Sequence, residues 1–314
     1  MASIAYVTDK NMIEFHRLNG NHSINFWKPS NAKKISSLNA GDLLFFLAKG
    51  SEMGSKKEKG LIGYGKFKKS YTLSFSQMWT KYGTQNGYPT KDALQEAIMK
   101  VTKNHKIPDY LNCLLLEEVV FFQYPVYLSE IGMEISNKIE SYIYIDKEDM
   151  LNTSKILKVA ENFGVDMWSN LFQEQKEVTF MKDAQIQTIQ NIYEKIRSSY
   201  YSSYDESRLY KYIQICMKDN SNTRTISDAK SEYIQIEDSI IKIYLPCIVN
   251  SNDFQKKLQY VLGHYMLYHG YLEKSMYGNE IIAIILFNQE ISHETKEVLD
   301  AMHIRYEIRL VDLD

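Results

Sequence analysis

Apolar residues in this chain fall into short blocks divided by polar turns, and the period within each block predicts its backbone. Residues 4–8 and 23–27 read as short extended pieces. "DLLFFLA", "LIGYGKF", "CLLLEEVVFF" and "SYIYID" read as strands, rich in β-branched and aromatic residues and bounded by turn formers. Between them lie helical signals. "SFSQMWTKYG" offers Ser74 or Ser76 as N-cap and Gly83 as terminator, and "PTKDALQEAIMKVTKNH" has Thr90 as cap with Leu94, Ile98 and Val101 at helical spacing. A curved sheet with inserted helices, ending near residue 175, is the expected first domain.

Residues 176–205 form a helical linker in this reading. Its neighbourhood interleaves Tyr193, Tyr200, Tyr201, Tyr204, Tyr210 and Tyr212 with Lys195, Arg197, Arg208 and Lys211. Such a mixture stacks on bases or packs domains together, and packing is the commoner outcome. Residues 206–314 then show a clear order. "SEYIQIEDSIIKIYLPC" alternates around an Asp-Ser turn, as a hairpin does. "DFQKKLQYVLGHYMLYHGYL" is a helix N-capped by Asp253 and broken at Gly270. "EIIAIILF" is a strand buried on both faces, "SHETKEVLDAMH" a capped helix and "IRYEIRLVDL" a last strand. The order β-β-α-β-α-β predicts a three-layer α/β/α sandwich with a mixed sheet.

At 314 residues the chain is long enough for two such domains, each with its own core. No apolar run reaches membrane-spanning length and no signal peptide is read at the N-terminus, so a cytoplasmic protein is expected. Cys113, Cys216 and Cys247 stand far apart inside apolar runs, as buried thiols do, and give neither a disulfide framework nor a zinc site. The net charge of −2 hides an asymmetry: residues 27–106 hold 15 Lys against 5 Asp or Glu. A local positive excess of that size suits contact with a phosphate backbone, although solvated lysines are the ordinary alternative.

The lysine-rich stretch lies inside the pattern "FWKPS…L..GDLLFF…GLIGYGKF…W..YG..NG..T". This string resembles the modified-base reader domains of bacterial modification-dependent restriction systems, in the PUA-like group that includes EVE, ASCH and YTH domains. It is most similar to those fused to HNH nucleases, although this chain carries the insertion "KGSEMGSKKEKG" and no downstream HNH motif. The resemblance covers residues 25 to about 145 and implies a small β-barrel whose pocket accepts a modified base flipped out of DNA. Such a pocket needs a flat aromatic face, a few polar groups and a cationic rim. Trp27 is the expected stacking face, with Phe26, Lys28, Pro29 and Ser30 around it. Trp79, Tyr82 and Asn86 form a second aromatic and polar group, Asp42 orders a strand start, and Gly63 beside Tyr64 lets backbone approach a ligand. Lys49, Lys56, Lys57, Lys59, Lys66, Lys68 and Lys69 are the expected phosphate contacts. Each has a plainer reading: Trp79 as core, Asp42 as a turn residue, Gly63 as a bulge.

The C-terminal element order resembles the PD-(D/E)XK nuclease core, in which an Asp and a Glu-x-Lys gather Mg²⁺ around the attacking water. Aligned on the hairpin, Lys242 falls at the acid position and Tyr244 at the lysine position, so the triad is broken. Asp228, Glu237 and Asp238 with Lys242 are the candidate catalytic set if activity has relocated, with Glu232 and Glu206 nearby. His264 and His269 are five apart, where a zinc pair on one helix face is four apart, and no metal site is read there. The chain is therefore an α+β protein, 1–175 PUA-like and 206–314 nuclease-like. Its expected partner is modified DNA, with a homodimer or a separate nuclease subunit left open. No cofactor is expected for binding, and Mg only if the second domain cleaves. An active Mg-dependent endonuclease, an RNA-binding protein and a scaffold without nucleic-acid affinity are the rivals.

Overall fold

The computed structural model describes residues 3–28, 38–54, 57–102, 104–136, 138–168, 180–197, 203–218, 222–226, 231–251 and 253–313. The chain divides into two compact units, Met1–Gln187 and Thr188–Asp314. The boundary falls inside the helix Phe180–Ile196.

In the first unit the strands are β1 (Ile4–Thr8), β2 (Ile24–Lys28), β3 (Leu43–Ala48), β4 (Leu61–Leu73), β5 (Leu111–Val126) and β6 (Tyr142–Tyr144). They form one sheet in the order β2-β5-β4-β3-β1-β6, with β1 and β3 parallel and the other pairs antiparallel. The expected barrel is not closed: no ladder joins β2 to β6 among the described residues. The sheet curls instead. The ring of Phe26 on β2 meets Tyr6 on β1 at 5.1 Å and stacks on Phe46 of β3 at 6.3 Å, so strands far apart in the order share one core. Three register shifts between β4 and β5 supply the bend. At one of them a Cβ on Gly63 would sit 2.3 Å from the Val120 carbonyl oxygen, so glycine is required for the strands to approach.

Helices α1 (Lys10–Leu18), α2 (Phe75–Tyr82) and α3 (Lys91–Val101) accompany the inner face of this sheet, contributing Met12, Ile13, Met78, Tyr82, Leu94 and Ile98 to its core. Their start signals are those read from the sequence. Ser74 and Gln77 make a reciprocal capping box, and the Thr90 hydroxyl accepts from the Ala93 N–H. On the outer face the rings of Phe45, Tyr64, Phe122 and Phe180 pack at 5.7–6.4 Å. Helix α4 (Asn152–Phe163) and the start of α5 (Phe180–Ile196), as far as Gln187, cover that side, the Ser154 hydroxyl donating to the Ala184 carbonyl.

One buried group in this unit makes its stability depend on pH. His16 is fully buried, its Nδ1 accepts from the Asn21 amide, and its Nε2 has no partner among the described residues. Burial pushes its pKa down to about 3 from 6.5. Between those values the unfolded chain binds a proton that the folded one refuses, so stability is full above pH 6.5 and falls as the pH drops. At pH 5 the loss is about 2 kcal/mol. Urea denaturation of the full chain at pH 7 and pH 5, followed by tryptophan fluorescence, measures it. His16→Gln is expected to flatten the difference.

The second unit holds α6 (Ser203–Lys218), β7 (Thr223–Thr225), β8 (Tyr233–Ile236), β9 (Ile241–Cys247), α7 (Phe254–Glu273), β10 (Ile281–Phe287), α8 (His293–Ala301) and β11 (Tyr306–Ile308). The mixed sheet runs β11-β10-β9-β8-β7, antiparallel from β7 to β9 and parallel from β9 to β11. On one face Leu209, Tyr212, Ile213 and Cys216 of α6 pack on Tyr233, Tyr244, Ile284 and Leu286. On the other, Val261 and His264 of α7 lie beside Leu245. Those contacts make the α/β/α layering. Helix α7 differs from expectation at both ends. It runs through Gly270 to Glu273, because an isolated helical glycine costs only about 1 kcal/mol relative to alanine. Asp253 stands at its N-cap with φ +58° and makes no capping bond; its carboxylate instead lies 3.5 Å from the Lys256 ammonium.

Candidate nucleic-acid interface

The residues expected to read a base separate into distinct places. Trp27, Tyr82 and Asn86 come together. β2 pairs with β5 and β5 with β4, so Trp27, Cys113 and Tyr71 stand in one row across three strands. The turn Gly83–Asn86 closes over that row: the indole N–H of Trp27 donates to the Asn86 carbonyl at 3.0 Å, and the Asn25 amide donates to Asn86 Oδ1 at 2.8 Å. Trp27 is 9% exposed and tilts against Tyr88, so it presents no open stacking face here. Phe26 points into the core, Trp79 packs on it half-buried, and Lys28 is buried, which pulls its ammonium pKa down. Burial, then the neighbouring Tyr71, pushes the Tyr82 phenol up to about 12. Pro29 and Ser30 lie outside the described residues.

Asp42, Gly63 and Tyr64 lie away from that row. Asp42 is buried and its Oδ2 accepts the Asn39 N–H at 2.7 Å, the turn-residue role. Tyr64 is on the outer face, its hydroxyl donating to Asp183 at 2.6 Å. Burial, then Asp183, drives its pKa far up.

The lysines also divide, and the division decides which can meet a phosphate. Lys66 is held by Asp183 at 2.7 Å and Glu118 at 2.6 Å, and Lys68 by Glu117 at 2.6 Å. These ammoniums are already neutralised. Lys49 and Lys57 are exposed, with no ion pair among the described residues. Lys69 stands 5.2 Å from the Tyr71 ring centre. Lys56 lies outside the described residues.

The loop that carries Lys49, Lys57 and Lys59 borders a cavity of about 280 Å³, lined by Leu47, Glu58, Lys59, Ser129, Glu134, Ile135 and Ser136. Sequence reasoning named Lys59 but missed the rest, because the wall is assembled from positions some 70 residues apart. The loop is firmly tied. The Ser51 hydroxyl bridges Ala48 and Gly60, Tyr127 donates to the Ser51 carbonyl, and the Ser129 N–H and hydroxyl both donate to the Glu58 carboxylate at 2.9 and 2.7 Å. The opening is therefore pre-formed, with two serine hydroxyls, two carboxylates and an ammonium around an apolar floor. Its size is just below the usual range of about 300–1,000 Å³ for small-molecule sites.

In the second unit the candidate catalytic residues do not converge. Lys242 pairs with Glu237 at 2.6 Å, and Glu237 also accepts from Gln235. Tyr244 stacks on Tyr233 at 4.8 Å and bonds Glu307 and Arg309, and burial raises its pKa to about 12. Asp238 and Glu206 are exposed, and Asp228 lies outside the described residues. Among the described residues no three His, Cys, Asp or Glu side chains are grouped to hold a metal ion. His264 is buried and bonds Glu232 at 2.9 Å, whereas His269 is exposed beside Glu273.

No helix among the described residues is long and apolar enough to cross a membrane. No family model and no curated protein matches the chain. Three solved structures of an ASCH protein from Zymomonas mobilis are similar to part of it. They are a tyrosine-to-phenylalanine mutant (12% identity, TM-score 0.36), a serine-to-alanine mutant (10%, 0.35) and the unmutated protein (13%, 0.35). Each match covers 50–51% of this chain and 95–99% of the other.

Proposed function

We propose that the N-terminal unit binds nucleic acid, one nucleotide entering the cavity beside Ser129 while the lysines of the adjoining loop hold the backbone. The observation that carries this reading is that the 280 Å³ cavity is lined by Lys59, on the same loop that displays Lys49 and Lys57. A flipped base held there would meet apolar walls at Leu47 and Ile135 and polar edges at the serines and Glu134, with no aromatic platform among the lining residues. Modified DNA as the ligand, and restriction or phage defence as the setting, rest on the sequence resemblance alone. The C-terminal unit is read as a degenerate nuclease-like partner for dimerisation, DNA contact or recruitment. Its supports are the mixed sheet and the pairing of Lys242 with Glu237.

The test is anisotropy with labelled plain DNA, DNA carrying modified cytosines, and RNA, over a range of salt. Lys49→Ala with Lys57→Ala should lower the slope of log affinity against log salt by about two. Ile135→Trp, which fills the cavity, should remove discrimination among the three probes and keep salt-sensitive binding. Equal affinity of the parent protein for all three would overturn base reading. Mg²⁺-dependent cleavage that is lost in Asp238→Ala would replace this reading with an endonuclease.

A further inference from the structure

The end of β4 remote from the cavity carries a second cationic feature. Tyr71 is partly exposed there. The Lys81 ammonium of α2 stands 3.5 Å from its ring centre and 5.5 Å from that of Tyr82, and Lys69 approaches the same Tyr71 ring at 5.2 Å. Two ammonium groups near one ring are therefore within about 9 Å of each other, where like charges repel. The next lysine back along β4, Lys68, has Glu117, but Lys69 and Lys81 have no carboxylate partner among the described residues. The groups acting on the Tyr71 hydroxyl are cationic: the neighbouring Lys69, then Lys81, lowers its pKa. Two ammoniums and a phenol hydroxyl thus gather at one solvent-facing point. All three donate hydrogen bonds, and their charge is uncompensated.

We propose that Lys69, Lys81 and the Tyr71 hydroxyl form a seat for a phosphate group. A phosphate oxygen between the two ammoniums relieves their repulsion and accepts from all three donors. The seat shares no residue with the cavity. From Leu61, at the cavity end of β4, to Lys69 is eight residues, roughly 26 Å at strand rise. The chemistry fits free phosphate and a phosphate in a nucleic-acid strand, and the experiment separates the two.

The full chain is titrated at low salt with inorganic phosphate and, separately, with an eight-nucleotide single-stranded oligonucleotide. Changes in the lysine and tyrosine side-chain resonances are followed by nuclear magnetic resonance. Both substituted lysines are exposed, so the fold is retained. Lys81→Ala and Lys69→Ala should each weaken binding about tenfold, the worth of one charge-assisted hydrogen bond, and Tyr71→Phe by less. Loss of both probes assigns a general phosphate seat; loss of the oligonucleotide alone assigns a strand contact. If both lysine variants bind both probes as the parent does, the proposal falls. Oligonucleotide affinity that depends on Lys49 and Lys57 and not on Lys81 would overturn this seat and leave the cavity reading standing.

Discussion

Glu232→Ala is expected to destabilise the C-terminal unit by about 3 kcal/mol, whereas Glu237→Ala, five positions along, should change it by less than about 1 kcal/mol. Both are acids in the second unit, and burial separates them. Glu232 is 5% exposed, and its carboxylate accepts from His264 Nδ1 at 2.9 Å and from the Tyr268 hydroxyl at 2.7 Å. Removing it leaves two buried donors without an acceptor, each costing about 1–3 kcal/mol. Glu237 pairs with a partly exposed Lys242, and water replaces what is lost. Urea denaturation followed by far-ultraviolet circular dichroism measures both. All three tryptophans, Trp27, Trp79 and Trp168, lie in the first unit. A fluorescence midpoint that stays in place therefore localises the loss. Equal effects of the two substitutions would mean that Glu232 is not the buried anchor described. Glu232→Gln, which keeps one acceptor oxygen, should fall between them.

Local signals in the sequence carried well into the structure, because they depend on neighbours a few residues away. The caps at Ser74, Thr90 and Ser292 and the buried run Ile281–Phe287 are of this kind. Signals that depend on register did not carry. Counting 15 lysines between residues 27 and 106 could not show that β4 lies along β5, so that Lys66 and Lys68 meet Glu118 and Glu117 some fifty positions away. Nor could it show that Lys66 also meets Asp183. Spacing and an apolar helix speak against a metal at the histidine pair, yet they do not reveal the acid that explains His264, which is 32 positions away, just before β8. The barrel expectation failed for a similar reason. A run of β-rich segments specifies curvature only through its bulges, and closure needs long edge strands, whereas β6 has three residues.

Trp27→Ala is expected to cost the N-terminal unit about 4 kcal/mol, the usual scale for removing a buried tryptophan side chain. The indole is packed in the core beside Phe26, Tyr82 and Cys113, and it ties β2 to the turn Gly83–Asn86 through its bond to the Asn86 carbonyl. Trp27→Phe keeps most of the packing and leaves that carbonyl unpaired, so a loss of about 1–2 kcal/mol follows. A motif search that sees "FW" at a strand end cannot separate a rim aromatic from a core one, since both are large, planar and flanked by polar residues. The difference lies in the turn from Gly83 to Asn86, which closes over the ring and uses its only hydrogen-bond donor. Chemical denaturation read by circular dichroism, with Trp79 and Trp168 as remaining fluorophores, gives the stability of each variant. Nucleic-acid binding by Trp27→Phe gives the second half of the test. A packing role predicts that this variant binds plain and modified DNA as the parent does. If Trp27→Phe is fully stable and loses its preference for a modified base, the indole is the reading face and the ring must leave its pocket to act. If Trp27→Ala is as stable as the parent, the core described around β2, β5 and the 83–86 turn is wrong.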